Sequence, residues 1–161
     1  MTLRVTKITE NTASCAIPAG GFVLSIAEKT TYSSVLANLL PEGAGRRIAA
    51  ADCPKIFIPN SGGDRECPGH TVAGQVDLLL RTLRDDAPDA PPSRLLTHVL
   101  VDSLRGRYDG HGDWEGLREL GIRLIDMPAV MPHEPQRHDP RAVAGVLLRL
   151  RDGRDPEERH A

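Results

Sequence analysis

Hydroxyl and charged side chains gather in a few short segments of this 161-residue chain. In Lys29-Thr-Thr-Tyr-Ser-Ser34 a cation stands beside the hydroxyls of Thr30, Thr31, Tyr32, Ser33 and Ser34, just ahead of an apolar helical pattern. Such a junction suits a phosphate, because hydroxyls and the free N–H groups of a helix N-terminus point the same way. The same residue types also serve as plain helix caps. In Asn60-Ser-Gly-Gly-Asp64 the glycines let backbone approach a ligand, Asn60 or Asp64 can hydrogen-bond it, and Asp64 can hold a divalent cation through water. An ordinary turn has the same composition. His70 and Thr71 open a long helical pattern, with Thr71 read as its cap. Asp102 and Ser103 end an apolar run, where an aspartate is either functional or bonded to its own backbone. His138 offers an acid or base near neutral pH, while Asp139-Pro140 beside it is also a helix start. No residue is assigned a catalytic role.

Four apolar runs alternate with four helical patterns, the signature of repeated βα units and a parallel sheet. The runs, Phe22 to Ile26, Lys55 to Ile58, Thr97 to Val101 and Ile122 to Ile125, are short and rich in Val, Ile or Leu, as buried strands are. Val35, Leu36, Leu39 and Leu40 share one helical face, and Val72, Val76, Leu79, Leu80 and Leu83 share another. Trp114, Leu117 and Leu120 mark a shorter helix that Gly121 can stop, with Trp114 packing it on the sheet. Val143, Val146, Leu147 and Leu150 mark the last helix. Asp85 to Ser93, with three prolines and three aspartates, reads as a surface loop. The expected architecture is α/β with a mainly parallel sheet of about four strands. Residues 1–150 form one domain and 151–161 a charged flexible tail. The polar segments all follow strands, so they converge on the carboxyl rim of the sheet, where ligands of open parallel sheets bind.

Composition narrows the function classes. With 20 Lys and Arg against 22 Asp and Glu, the formal charge is −2. No basic stripe interleaved with aromatics suggests a nucleic acid partner. No apolar run is long enough to span a bilayer, and the N-terminus lacks signal-peptide order, so a cytoplasmic protein with no membrane partner is expected. Cys15, Cys53 and Cys67 are odd in number and widely spaced, as reduced thiols are, and no histidine cluster suits zinc.

Taken in order, these segments resemble the C-terminal half of the CofD-like family, which contains 2-phospho-L-lactate transferases and the YvcK-type gluconeogenesis factors. Ala27-Glu-Lys-Thr-Thr-Tyr-Ser-Ser-Val-Leu-Ala-Asn-Leu-Leu40 is similar to the family's G-P-G-S-L-Y-T-S-V-L-P-N-L-L. Pro54-Lys-Ile-Phe-Ile-Pro-Asn60 resembles P-K-I-Y-V-C-N, Gly69-His-Thr-Val-Ala73 resembles G-Y-T-A-S, and Arg137-His-Asp-Pro140 matches R-H-D-P. The resemblance covers residues 27 to 140.

It implies a Rossmann-like three-layer fold and a phosphorylated or nucleotide-linked ligand. In the transferase branch it also implies magnesium-assisted transfer of a phosphate-linked lactyl-type group onto a deazaflavin precursor. Thr30, Thr31, Tyr32, Ser33, Ser34 and Asn60 would contact the ligand. Asp64, His70, Thr71, Asp102, His138 and Asp139 would line the rest of the cleft. The alternatives are a non-enzymatic YvcK-like regulator that binds a nucleotide-sugar or a protein, and a truncated family member without activity. The family's N-terminal glycine-rich loop and metal-holding acidic residues have no counterpart here, and Ala27-Glu28-Lys29 replaces Gly-Pro-Gly. On that reading the sheet keeps an open edge, which a second copy or a partner chain would cover.

Overall fold

The computed structural model describes residues 14–17, 21–25, 36, 39–61, 69, 71–110, 114–154 and 156. The chain is a mixed α/β protein. Its main sheet has five strands in sequence order, β1 Ser14–Ile17, β2 Gly21–Ser25, β3 Lys55–Ile58, β4 His98–Val101 and β5 Arg123–Asp126. The pairings β2–β3, β3–β4 and β4–β5 are parallel, whereas β1 runs antiparallel to β2. The expected four strands are thus joined by β1, whose short Ser-Cys-Ala-Ile segment is too brief to stand out as an apolar run. β1 also covers the outer edge of β2, so among the described residues the main sheet runs from β1 at one edge to β5 at the other.

Among the described residues, the helices with both ends given are α1 Ala44–Ala50, α2 Val72–Asp86, α3 Pro92–Leu95, α4 Glu115–Glu119 and α5 Pro140–Arg151. Right-handed crossovers that always step to the next strand in the same direction must all lie on one face of the sheet. The packing follows that rule. Phe57, Val99 and Val101 on one face meet Ile48 of α1, the Val72, Val76, Leu79, Leu80 and Leu83 face of α2, Leu95 of α3 and Leu117 of α4. On the opposite face Ile56, Ile58, Leu100 and Ile125 meet Ala129 and, from α5, Val146 and Leu150. Period-two alternation along β3 and β4 therefore divides one apolar run between two cores.

Several local expectations need correction. Leu36 and Leu39 are helical and Leu39 is buried, but Leu40 lies past the helix and is 71% exposed. The region Asp85 to Ser93 is only partly loop, because α2 runs on to Asp86 and α3 begins at Pro92. Met127 to Asp139 contains a two-stranded antiparallel hairpin, β6 Val130–Met131 and β7 Glu134–His138. Gly121, at φ 72°, stops α4 as expected. Its N–H reaches the Arg118 carbonyl at 2.9 Å while the Ile122 N–H reaches Leu117 at 3.0 Å, a Schellman ending with Leu117 and Ile122 both buried. α5 ends the same way at Gly153, through bonds from Gly153 and Arg154 to Leu150 and Arg149. Most of the expected tail, 155 and 157–161, lies outside the described residues.

Candidate functional site at the carboxyl rim

Asn60 and Ser61 follow β3, Asp102 and Ser103 follow β4, and Asp126 closes β5, so all five stand at the carboxyl ends of parallel strands. Backbone and side-chain bonds draw the intervening loops together. The Arg107 N–H reaches the Ser61 carbonyl at 2.7 Å, and the Gly69 N–H reaches an Asp109 carboxylate oxygen at 3.0 Å. Fully buried Ser61 donates its hydroxyl to the Pro135 carbonyl at 2.9 Å, tying the end of β3 to the hairpin.

Asp102 is the hub of this rim. Completely buried, it accepts the N–H groups of Ala129 and Val130 on Oδ2, each at 3.0 Å, and that of Arg105 on Oδ1 at 3.2 Å. A buried carboxylate needs such donors, since an unmatched charge there is costly. Its own N–H donates to the Tyr108 hydroxyl at 3.2 Å. Burial pushes the Tyr108 phenol up to about 12, with the Asp102 and Asp126 charges adding to the rise, so it is a neutral hydroxyl throughout the ordinary pH range. Tyr108 in turn meets Trp114 edge-to-face, with ring centroids 6.2 Å apart. Ser103 clamps the neighbouring strand: its N–H and hydroxyl reach Asp126 at 2.9 and 2.5 Å.

His138 ends β7 beside this hub. Its Nε2 is buried and has no hydrogen-bond partner. Burial lowers the pKa of the ring, against the Pro59 carbonyl and the Asp102 charge, which both favour the imidazolium. Asp139 is the N-cap of α5, its carboxylate accepting from the Arg141 and Ala142 N–H groups at 2.9 and 3.4 Å. Thr71 likewise caps α2, accepting the Gly74 N–H at 3.0 Å.

The rim thus assembles Asn60, Asp102, His138 and Asp139, while Thr71 has its hydroxyl committed to a helix. Thr30, Thr31, Tyr32, Ser33, Ser34, Asp64 and His70 lie outside the described residues. Ser61, Tyr108 and Asp126 escaped the reading of the sequence. Asp126 carried the same signal as Asp102, an aspartate at the end of an apolar strand. Ser61 and Tyr108 carried none, because their partners are remote or buried. Among the described residues no three His, Cys, Asp or Glu side chains converge as a metal centre requires, and the Asp102 carboxylate already has three N–H donors. These residues do not by themselves fit magnesium.

The opposite, amino end of the sheet holds an open groove of about 540 Å³ between α1, the end of α2 and the turn before α3. Its cations are engaged: Arg46 pairs with Asp86 at 2.8 Å, and Arg94 pairs with Asp52 at 3.6 Å and reaches the Ala49 carbonyl at 3.2 Å. Nearby, buried Lys55 donates Nζ to the Ala51 carbonyl at 2.5 Å, and burial lowers its pKa, Cys53 partly opposing. None of the described candidate ligand-site residues lines this groove, which is built instead from α1, Arg94 of α3 and the Asp86 to Pro91 stretch. Among the described residues no helix is long and apolar enough to cross a membrane. Comparison with protein families, with characterised proteins and with solved structures finds no match.

Proposed function

We propose that this chain is a CofD-like domain with a Rossmann-like layout, related to 2-phospho-L-lactate transferase. On this reading it recognises a phosphorylated or nucleotide-linked small molecule at the carboxyl rim of its sheet. The observation that supports the reading is the convergence of Asn60, Asp102, His138 and Asp139 on one end of the sheet, drawn from segments spread over some 80 residues. Thr30, Thr31, Tyr32, Ser33 and Ser34 follow β2, whose carboxyl end is parallel to that of β3, and supply the phosphate contacts in this proposal. Binding without transfer, as in a YvcK-like regulator, is favoured by the state of the carboxylates. Asp102 and Asp126 are both occupied in holding loops, so neither is free to act as a base.

The test is a thermal-shift panel of nucleotides, nucleotide-sugars and phosphorylated hydroxy acids, each with and without magnesium. A ligand at a hundred times its Kd adds about 2.7 kcal/mol to the native state. For a domain of this size that is roughly 5–10 °C in Tm. Ser33→Ala with Ser34→Ala should remove the shift while leaving the unliganded Tm nearly unchanged. A flat response across the panel would overturn the proposal. A second copy or partner chain against the sheet edge belongs to the same reading, and a monodisperse monomer by light scattering at high concentration counts against that part of it.

A further inference from the structure

His138 sits where four elements meet. It pairs with Val130 across the hairpin, lies beside the Pro59 carbonyl at the end of β3, feels the Asp102 charge at the end of β4, and directly precedes the Asp139 cap of α5. The ring nitrogen Nε2 is buried and unpartnered. A neutral imidazole tolerates this, because an unbonded nitrogen lone pair costs far less than a buried unbonded N–H carrying charge. The hairpin is also held to the body of the protein by the Ser61 hydroxyl on the Pro135 carbonyl and by the Ala129 and Val130 N–H groups on Asp102, and its base is closed by the Asp139 N–H on the Ala129 carbonyl.

We propose that His138 is a proton-operated latch: its neutral ring lets the β6–β7 hairpin close over the ends of β3 and β4, and protonation opens that contact. The charged groups around it do not rescue the imidazolium. Asp102, from β4, is the carboxylate that favours it, but its oxygens already accept three N–H groups. Asp139, from α5, is committed to the Arg141 and Ala142 N–H groups. On the hairpin, Glu134 is paired with Arg137 at 3.3 Å on the exposed side. Arg105, from the turn after β4, reaches the Val130 carbonyl at 3.4 Å and brings positive charge, not negative. From β3 the contribution is the uncharged Pro59 carbonyl.

The folded pKa lies below the ordinary histidine value of 6.5. The closed state therefore binds fewer protons than the open one as pH falls below that value, and closure is fully present above it and lost beneath it. One linked proton changes the opening equilibrium by at most tenfold per pH unit.

Amide hydrogen exchange tests this directly. Corrected for intrinsic rates, protection across residues 129–138 should fall by up to tenfold per unit between pH 6.5 and the folded pKa. His138→Gln, which cannot ionise, should keep a flat profile over the same range. Equal acid sensitivity in the two proteins, or an unchanged profile in the wild type, overturns the latch. Should His138→Gln fail to fold, the NMR titration of the His138 ring decides: a midpoint at or above 6.5 overturns the proposal. His98 and exposed His133 are separated from it by assignment. Both readouts are made on the unliganded protein, so they stand or fall independently of ligand recognition at the rim.

Discussion

Replacing the Asp102 carboxylate with an amide isolates what the rim depends on. Asp102→Asn turns an NH₂ group toward backbone N–H donors that now share a charged acceptor. The expected loss is about 2 kcal/mol, read from the urea midpoint at an unchanged slope, because hydrogen bonds to a buried charge are stronger than neutral ones. An unaltered midpoint would mean that the three N–H groups find other acceptors. Thr71→Ala should cost about 1 kcal/mol through the lost cap of α2, with Thr71→Ser close to wild type. At this scale the sequence was half legible. Caps at Thr71 and Asp139 are local devices, visible because donor and acceptor lie within three residues. The role of Asp102 is not, since Ala129 and Val130 lie 27 and 28 residues away.

Among the elements, α1 and α2 approach so closely that a Cβ on Gly45 would stand 2.2 Å from the Leu83 carbonyl oxygen. Gly45→Ala should therefore destabilise the fold by about 1–3 kcal/mol in thermal or chemical unfolding, despite alanine's better helix propensity, because the obstacle is backbone and cannot swing aside. Gly121→Ala meets Ser93 only at an ordinary 3.5 Å, so its cost of roughly 1–2 kcal/mol comes from the positive φ alone. The four mutually parallel strands, β2 to β5, were legible to within a residue, as was the buried face of α2, because each carries a clear apolar run. α1 was not, having Ile48 as its one large apolar residue. The hairpin was hidden by Pro132 and Pro135 and by a polar composition that reads as loop, and it is the sheet pairing rather than apolar burial that makes it a hairpin.

For the whole molecule, two cores lie on opposite faces of strands they share. Leu150→Ala, on the α5 face, should cost about 2–3 kcal/mol. It should also lower the midpoint followed by Trp114, the sole tryptophan, which packs on the other face. Far-UV and fluorescence transitions should coincide in both proteins, and separate midpoints would show that the two faces melt independently. The strand order has a further consequence for a chain made from its N-terminus. Each parallel strand, as it leaves the ribosome, finds its neighbour already synthesised and at the growing edge, so β2 to β5 can be laid down one after another without waiting for later sequence. Only α5 breaks the pattern. Among the described residues, α5 is the helix that packs on Ile56, Ile58, Leu100 and Ile125, so that contact forms only after every strand of the sheet has been made.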